Sequence, residues 1–325
     1  MRRPRRKFLS LAVSAAALPF IPGLAKGQTY PSHPVRIIVG FAPGSAFDIL
    51  ARLIGQQLSE RLGQPFIVEN RSGAAGSIAT EAVARARPDG YTLLVTGSPD
   101  AINATLYDNL NFKFVHDIAP VAGIGRAPNV MVVNRSLPTK TVPEFIAYAN
   151  ANPGKISMAS AGVGSASHLS GELFKMMAGL SLVHVPYRGQ APALTDLLGG
   201  QVQLDFSTMP PAIEYVKAGK LRALAVTSPA RFEALPDVPA MAEYLPGYEA
   251  SLLTGLGAPS NTPAEIIEIL NKATNGALAD PNIKAQLAAL GNTELPGSPA
   301  DFGRLIAEET DKWARVIKFA NIKPE

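Results

Sequence analysis

One short unit recurs along this chain: an apolar run of four or five residues, a loop of Gly, Ser, Ala and Pro, then apolar positions at helical spacing. Val35-Arg36-Ile37-Ile38-Val39 is a β-branched run that reads as a buried strand. The loop Ala42-Pro43-Gly44-Ser45 follows, and Phe47, Leu50, Ile54, Leu58 and Leu62 then mark one helix face until Gly63 stops it. The second unit is Phe66-Ile67-Val68, the loop 70–74, and a helix with Ile78, Ala82, Val83 and Ala86 inward. A third strand over 91–95 leads into Gly97-Ser98-Pro99-Asp100 and more helix. The plan repeats after residue 155. Lys155-Ile156-Ser157-Met158 runs into Ser160-Ala161-Gly162-Val163-Gly164-Ser165 and a helix face of Leu169, Leu173, Met176 and Met177. Leu182-Val183-His184-Val185 leads to Pro186-Tyr187-Arg188-Gly189 and a helix through Leu194, Leu197 and Leu198. Val202-Gln203-Leu204-Asp205-Phe206 precedes Ser207-Thr208-Met209 and a helix ending near Gly219. Strands alternating with helices predict an α/β fold, each sheet mostly parallel with helices on both faces.

Three units per half predict two domains. Residues 121–133 hold two β-rich stretches broken by Gly125-Arg126-Ala127-Pro128, as in a chain crossing from one domain to the other. Leu224-Ala225-Val226-Thr227 before Ser228-Pro229 reads as the return, and helices near 263–278 and 299–319 rejoin the first domain. The expected borders are 28–127 with 228–325 for domain I, and 128–227 for domain II.

The first residues address the chain to a compartment. Arg2, Arg3, Arg5, Arg6 and Lys7 precede an apolar stretch from Phe8 to Ile21, short of the ~20 residues that span a bilayer. Ala25-Lys26-Gly27 supplies small residues for cleavage, so 1–27 reads as a signal peptide and export to the periplasm is expected. Arg5-Arg6-Lys7-Phe8-Leu9 fits a twin-arginine signal as well as an Arg-rich Sec signal. Without 1–27, which carry four Arg, two Lys and no acid, the formal charge falls from +4 to −2. The basis for a nucleic-acid partner disappears with it. There are no cysteines, so stability has to come from the core, and thiol catalysis is excluded. The four histidines, His33, His116, His168 and His184, form no i,i+4 pair, which disfavours a metal centre. No cofactor is expected.

In a parallel α/β sheet, ligands sit outside the carboxyl ends of the strands. The loops there let the backbone approach a ligand, and each opens a helix whose first N–H groups lack partners. Such a terminus attracts an anion. The dipole supplies only ~0.3–1 kcal/mol, a charge-assisted hydrogen bond roughly 1.5–3, and micromolar affinity requires about 8. Several donors converging from two domains are therefore needed. Asp48 and Arg52 fit an i,i+4 pair as well as a site. Asp205 fits a local pair as well as a ligand contact, and Arg71, Arg126 and Arg188 fit surface positions as well as a bidentate clamp.

Catalytic patterns are poorly matched. Gly164-Ser165-Ala166-Ser167 lacks the second glycine of a nucleophile elbow. Ser165 and His168 are three apart, with no evident acid to orient the imidazole. Gly162-x-Gly164-x-x-Ser167 is a degenerate dinucleotide fingerprint. The expectation is a binding protein, not an enzyme.

At these loops the chain resembles the Bug-type (TctC-like) solute-binding proteins of tripartite tricarboxylate transporters. The resemblance is carried by Tyr30-Pro31-Ser32, Phe41-Ala42-Pro43-Gly44 with Asp48 and Arg52, and Val68-Glu69-Asn70-Arg71 before Gly73-Ala74-Ala75-Gly76. It continues through Gly164-Ser165-Ala166-Ser167-His168-Leu169 and His184-Val185-Pro186-Tyr187-Arg188-Gly189 to Asp196-Leu197-Leu198-Gly199-Gly200. It implies a two-lobed periplasmic-binding-protein fold, type II-like, that closes on its ligand in the interdomain cleft. It also implies carboxylate capture by loop amides, hydroxyls and waters instead of an arginine clamp. Carried over, this names Gly44, Ser45 and Ala46, then Ser72, Gly73 and Ala74, then Ser165, Ala166 and Ser167. Phe47, Asp48, Ser98, Gly164, His168, Tyr187 and Asp205 complete the candidates. Where similar proteins read Gly-Gly, this chain has Gly44-Ser45, and Phe47 either faces the cleft or starts the core stripe. The partners implied are a small mono-, di- or aromatic carboxylate and two membrane transporter subunits, the chain itself being a monomer. A sensory role, with the closed form presented to a receptor or kinase, is the alternative.

Overall fold

The computed structural model describes residues 30–107 and 109–323; the expected signal peptide, 1–27, lies outside the described residues. The recurring unit folds as its periodicity dictates. In the first half it gives β1 (Val35–Val39), α1 (Ala46–Leu62), β2 (Phe66–Asn70), α2 (Ser77–Ala84), β3 (Thr92–Gly97) and α3 (Ser98–Leu106). A short α4 (Phe114–Asp117) and β4 (Ile118–Ala127) follow, and the chain then enters a second sheet. That sheet is built from β5 (Asn129–Asn134), α5 (Val142–Ala151), β6 (Ser157–Ser160), α6 (Ala166–Ala178), β7 (Val183–Pro186) and α7 (Gln190–Leu198). It ends with β8 (Leu204–Thr208), α8 (Met209–Lys217) and β9 (Leu221–Val226). The chain returns as β10 (Leu252–Pro259), α9 (Ala264–Leu278), α10 (Pro281–Ala289), β11 (Thr293–Glu294) and α11 (Pro299–Ala320). Among the described residues, no helix is long and apolar enough to cross a membrane.

The first sheet has the order β11-β4-β10-β3-β1-β2 and the second β7-β6-β8-β5-β9. Two sheets flanked by helices make the two-lobed α/β fold that the sequence predicts. Most strands of each sheet share one direction, as expected, and both sheets also contain reversed strands. The runs β2-β1-β3 and β7-β6-β8 are parallel, whereas β10 runs antiparallel to β3 and β4, β11 to β4, and β5 to β8 and β9. The crossings explain the reversals. β4 runs towards the boundary between lobes, so β5, the first strand beyond it, runs away from that boundary. β9 brings the chain back, and β10 runs away again. The same pairings place the carboxyl ends of β1, β2 and β3 in one lobe, and of β6, β7 and β8 in the other, at the edges the chain crosses.

Each lobe has its own core, Ile37, Leu50, Ile54, Leu93, Leu256 and Leu270 in lobe one and Val130, Val132, Ala159, Leu194 and Leu197 in lobe two. A third cluster joins them, running from Leu94 and Leu106 through Phe145, Phe174 and Phe206 to Trp313 on α11. In α2 the inward face is Ala79, Thr80 and Val83; Ile78, predicted inward, is exposed and lies against Gly73 of the preceding loop. Phe47 is buried in the lobe-one core, its ring stacked on Phe41 with centroids 4.8 Å apart. That is the core-stripe alternative.

Candidate functional site

The loops at the two facing edges follow one backbone design. In lobe one, Gly44 adopts φ 82°, and Ser45 caps α1 with φ −68°, ψ 159°. In lobe two, Gly164 adopts φ 73°, and Ser165 caps α6 with φ −68°, ψ 160°. Only glycine takes the left-handed conformation at either position without cost. Each serine hydroxyl accepts the N–H three residues on, of Asp48 and of His168, at 3.3 Å. The side chain four residues after each glycine accepts that glycine's N–H: Asp48 Oδ2 from Gly44 at 2.9 Å, and His168 Nδ1 from Gly164 at 3.1 Å. Two helix N-termini with unpartnered first-turn N–H groups are thereby fixed in matching form, one on each lobe.

Asp48 also holds the next loop. Asn70, at the end of β2, donates to Asp48 Oδ1 at 2.8 Å and to the Phe41 carbonyl at 2.9 Å, and Arg52 grips the carboxylate with two bonds. Arg52, opposed by burial and helped by Gly44 and Asn70, holds the Asp48 carboxyl down at about 2. Ser72, Gly73 and Ala74 stand exposed beyond Asn70, with Ala74 and Ala75 at φ 45° and 51°. Left-handed alanines cost of the order of 1 kcal/mol or more each, and Asn103 steadies the turn by donating to the Ala75 carbonyl at 2.8 Å.

The lobe-two loop is tied by neutral groups. Ser165 Oγ donates to the Gly162 carbonyl at 2.6 Å and meets Ser167 Oγ at 3.0 Å, while Ser167 accepts the Ala161 N–H. The rings of His168 and His184 stack with centroids 3.8 Å apart, and His184 Nε2 bonds Ser160 Oγ at 2.6 Å. Burial, and then the neighbouring His168, push His184 down to about 4. Glu172 lies 3.6 Å from His168 Nε2 and is bonded by Lys175 at 2.8 Å. The sequence reading found no acid for His168, yet Glu172 is one turn on. The three still do not form a relay, since the Ser165 hydroxyl is bonded to the Gly162 carbonyl and His168 Nδ1 to Gly164 N–H. The lobes touch here: a Cβ on Gly164 would lie 3.2 Å from Leu106 Cδ2 at the end of α3.

Three candidates are engaged elsewhere. The buried Ser98 hydroxyl donates to Glu309 on α11 and accepts the Leu253 N–H at 2.9 Å, within a network that includes Trp313. Tyr187 donates to Asp196 at 2.6 Å, and burial with that bond raises its phenol to about 12. Asp205 sits on β8 beneath α7, bonded by Gln190, with Oδ1 unpartnered, and burial pushes it up to about 7. Among the arginines, Arg71 pairs with Glu69, Arg126 with Glu249, and Arg188 is exposed. Among the described residues, no three His, Asp or Glu side chains converge as a metal site. Sequence reasoning missed Asn70, Asn103, Glu172 and Leu106. The matching spacing of Gly44 to Asp48 and Gly164 to His168 was the signal available for the loop design.

The family model described as "Tripartite tricarboxylate transporter family receptor" matches residues 50–322. Protein BugT of Bordetella pertussis is 39% identical over 299 residues, covering 91% of this chain and 92% of that protein. Among solved structures, R. palustris Rpa4515 with adipate superposes with a TM-score of 0.75 at 38% identity, covering 91% of this chain and all (100%) of that one. MatC from Rhodopseudomonas palustris with bound malate gives a TM-score of 0.71 at 32% identity, covering 89% and 100%.

Proposed function

This chain belongs to the TctC family of tripartite tricarboxylate transporter receptors, and on that premise we propose that it captures a small carboxylate between its lobes in the periplasm and delivers it to membrane transporter subunits. The family is one of solute-binding receptors, and the loop geometry supports binding in preference to turnover. The observation that carries the reading is the pair of Gly-Ser-Ala helix N-termini, one per lobe, opening at facing edges. A carboxylate held between them would meet the first-turn backbone N–H groups of Ala46 and Phe47 on one side and of Ala166 and Ser167 on the other, since the Ser45 and Ser165 N–H groups donate to the Ala42 and Gly162 carbonyls, with Ser72, Gly73 and Ala74 closing the flank. In this reading Asp48 and His168 shape the loops, and Phe47 supports α1 from the core. Lobe borders at 28–127 with 228–325, and 128–227, put the hinge where the chain crosses twice, so closing bends two strand connections. The relatives holding adipate and malate make dicarboxylates the first ligands to try.

The test is a thermal-shift titration of residues 28–325 as a monomer against malate, adipate, a monocarboxylate and an aromatic carboxylate, with malamide and adipamide as uncharged controls. A ligand at 100 times its dissociation constant stabilises by ~2.7 kcal/mol. A shift with an acid and none with its amide supports the reading. No shift with any carboxylate, in folded protein freed of carried-over ligand, overturns it.

A further inference from the structure

We propose that neutral His168 is the positioning residue of the lobe-two site loop, so that the protein holds its carboxylate only while this imidazole is unprotonated. The inference rests on the carboxylate-capture reading and adds a proton-dependent release to it. His168 Nδ1 accepts the Gly164 N–H at 3.1 Å, and that bond sets the left-handed turn that presents the N–H groups of Ala166 and Ser167. An imidazole nitrogen that accepts a bond carries no proton. Adding a proton there sets two N–H donors against each other and costs the loop its acceptor.

The surroundings direct the effect to this loop. From α6, Glu172 faces Nε2 at 3.6 Å, with Lys175 bonded to the same carboxylate at 2.8 Å. From β7, His184 stacks on the ring and bonds Ser160, whose hydroxyl in turn accepts the Gly162 N–H at 3.2 Å. Lys323, beyond α11, lines the same cavity of about 550 Å³. Burial disfavours charge on Glu172, but the neighbouring His168 and the bond from Lys175 keep its carboxyl below the ordinary range. An anion beside Nε2 therefore fixes the tautomer that leaves Nδ1 free to accept. Lobe one has no such dependence, because Asp48 performs the equivalent task as a carboxylate gripped by Arg52.

The experiment uses malate and adipate as probes from pH 8 to pH 5. His168→Asn places a neutral amide oxygen near the position of Nδ1, and the ratio of its dissociation constant to that of wild type cancels titration of the ligand itself. Wild type is expected to weaken relative to His168→Asn by roughly tenfold or more towards pH 5. His168→Ala binds weakly throughout, and His184→Gln retains the acid loss. A ratio that stays flat, or an acid loss that disappears only in His184→Gln, overturns the proposal. A ligand-free readout separates its failure from that of the capture reading: the Gly164 amide signal in a ¹⁵N spectrum should titrate in wild type and stay fixed in His168→Asn. A Gly164 amide indifferent to protonation of the His168 ring would overturn the positioning role, whether or not any carboxylate binds.

Discussion

Residues 44–48 of lobe one and 164–168 of lobe two trace the same turn into a helix, with matching glycine and serine conformations. They differ in the group that accepts the glycine N–H. In lobe one it is a carboxylate, already bonded by Arg52 and Asn70 and held at about 2. In lobe two it is an imidazole packed on a second histidine. Backbone geometry can therefore be kept while the conditions under which it survives are changed. The carboxylate serves as an acceptor across the whole physiological range, and the imidazole only while neutral.

Two buried aspartates, Asp48 in the first turn of α1 and Asp205 within β8, extend the comparison. Asp48 is surrounded by donors, whereas Asp205 has Gln190 and one unpartnered oxygen, and burial raises it to about 7. A raised carboxyl pKa means that the folded form binds a proton that the unfolded chain releases near pH 4. Its contribution to stability is therefore present at low pH and lost as pH rises towards 7. Asp205→Asn should thus leave stability nearly unchanged at pH 4 and increase it by up to about 4 kcal/mol above pH 7. Urea unfolding of both proteins across pH measures this. The difference from wild type isolates Asp205 from Asp100, whose carboxyl is also raised by burial. Equal stabilities at pH 8 would show that Oδ1 has found a donor, such as a trapped water.

Asp48→Ala should destabilise by about 2–3 kcal/mol, since it leaves Asn70 and the Gly44 N–H without their charged partner. The loss should be constant from pH 8 down to pH 5, because the depressed Asp48 pKa confines its pH dependence to the interval between its unfolded value near 4 and its folded value of about 2. Chemical unfolding at several pH values checks both statements, and a loss that shrinks between pH 8 and pH 5 would break the contrast with His168.

The smallest effects concern the glycines themselves. Gly44→Ala should cost about 1–2 kcal/mol from its left-handed backbone alone, as no atom lies within 4 Å of the added methyl. Gly164→Ala adds crowding against Leu106 across the lobe boundary. It should cost more than Gly44→Ala by thermal unfolding, and Leu106→Ala in the same chain should remove the excess. An excess that persists would mean that the lobes do not touch at this point.

Much of this was legible in the residues. The β-branched runs, the apolar stripes and the Gly stops follow from local sterics and burial, so the alternating strands and helices were readable. Of Gly125-Arg126-Ala127-Pro128, read as a break between two β-rich stretches, the first three residues belong to β4 and only Pro128 separates it from β5. The reversed strands β5 and β10 were not legible, because a strand's direction depends on which neighbour it pairs with. Ile78 was misread because α2 buries the face of Ala79, Thr80 and Val83, which leaves Ile78, one residue before it, exposed.

What the sequence by itself determined is the set of Gly-Ser loops at strand ends and the helices they open, because turn geometry and capping depend on residues within four positions. Only the tertiary structure decided what those loops do. It assigned Asp48 and His168 to hold the backbone, drew Ser98 into the α11 network, left Asp205 with an orphaned oxygen, and set Leu106 against Gly164. Burial and hydrogen-bond partners are properties of contacts between residues far apart in the chain, and those contacts exist only once both sheets are assembled.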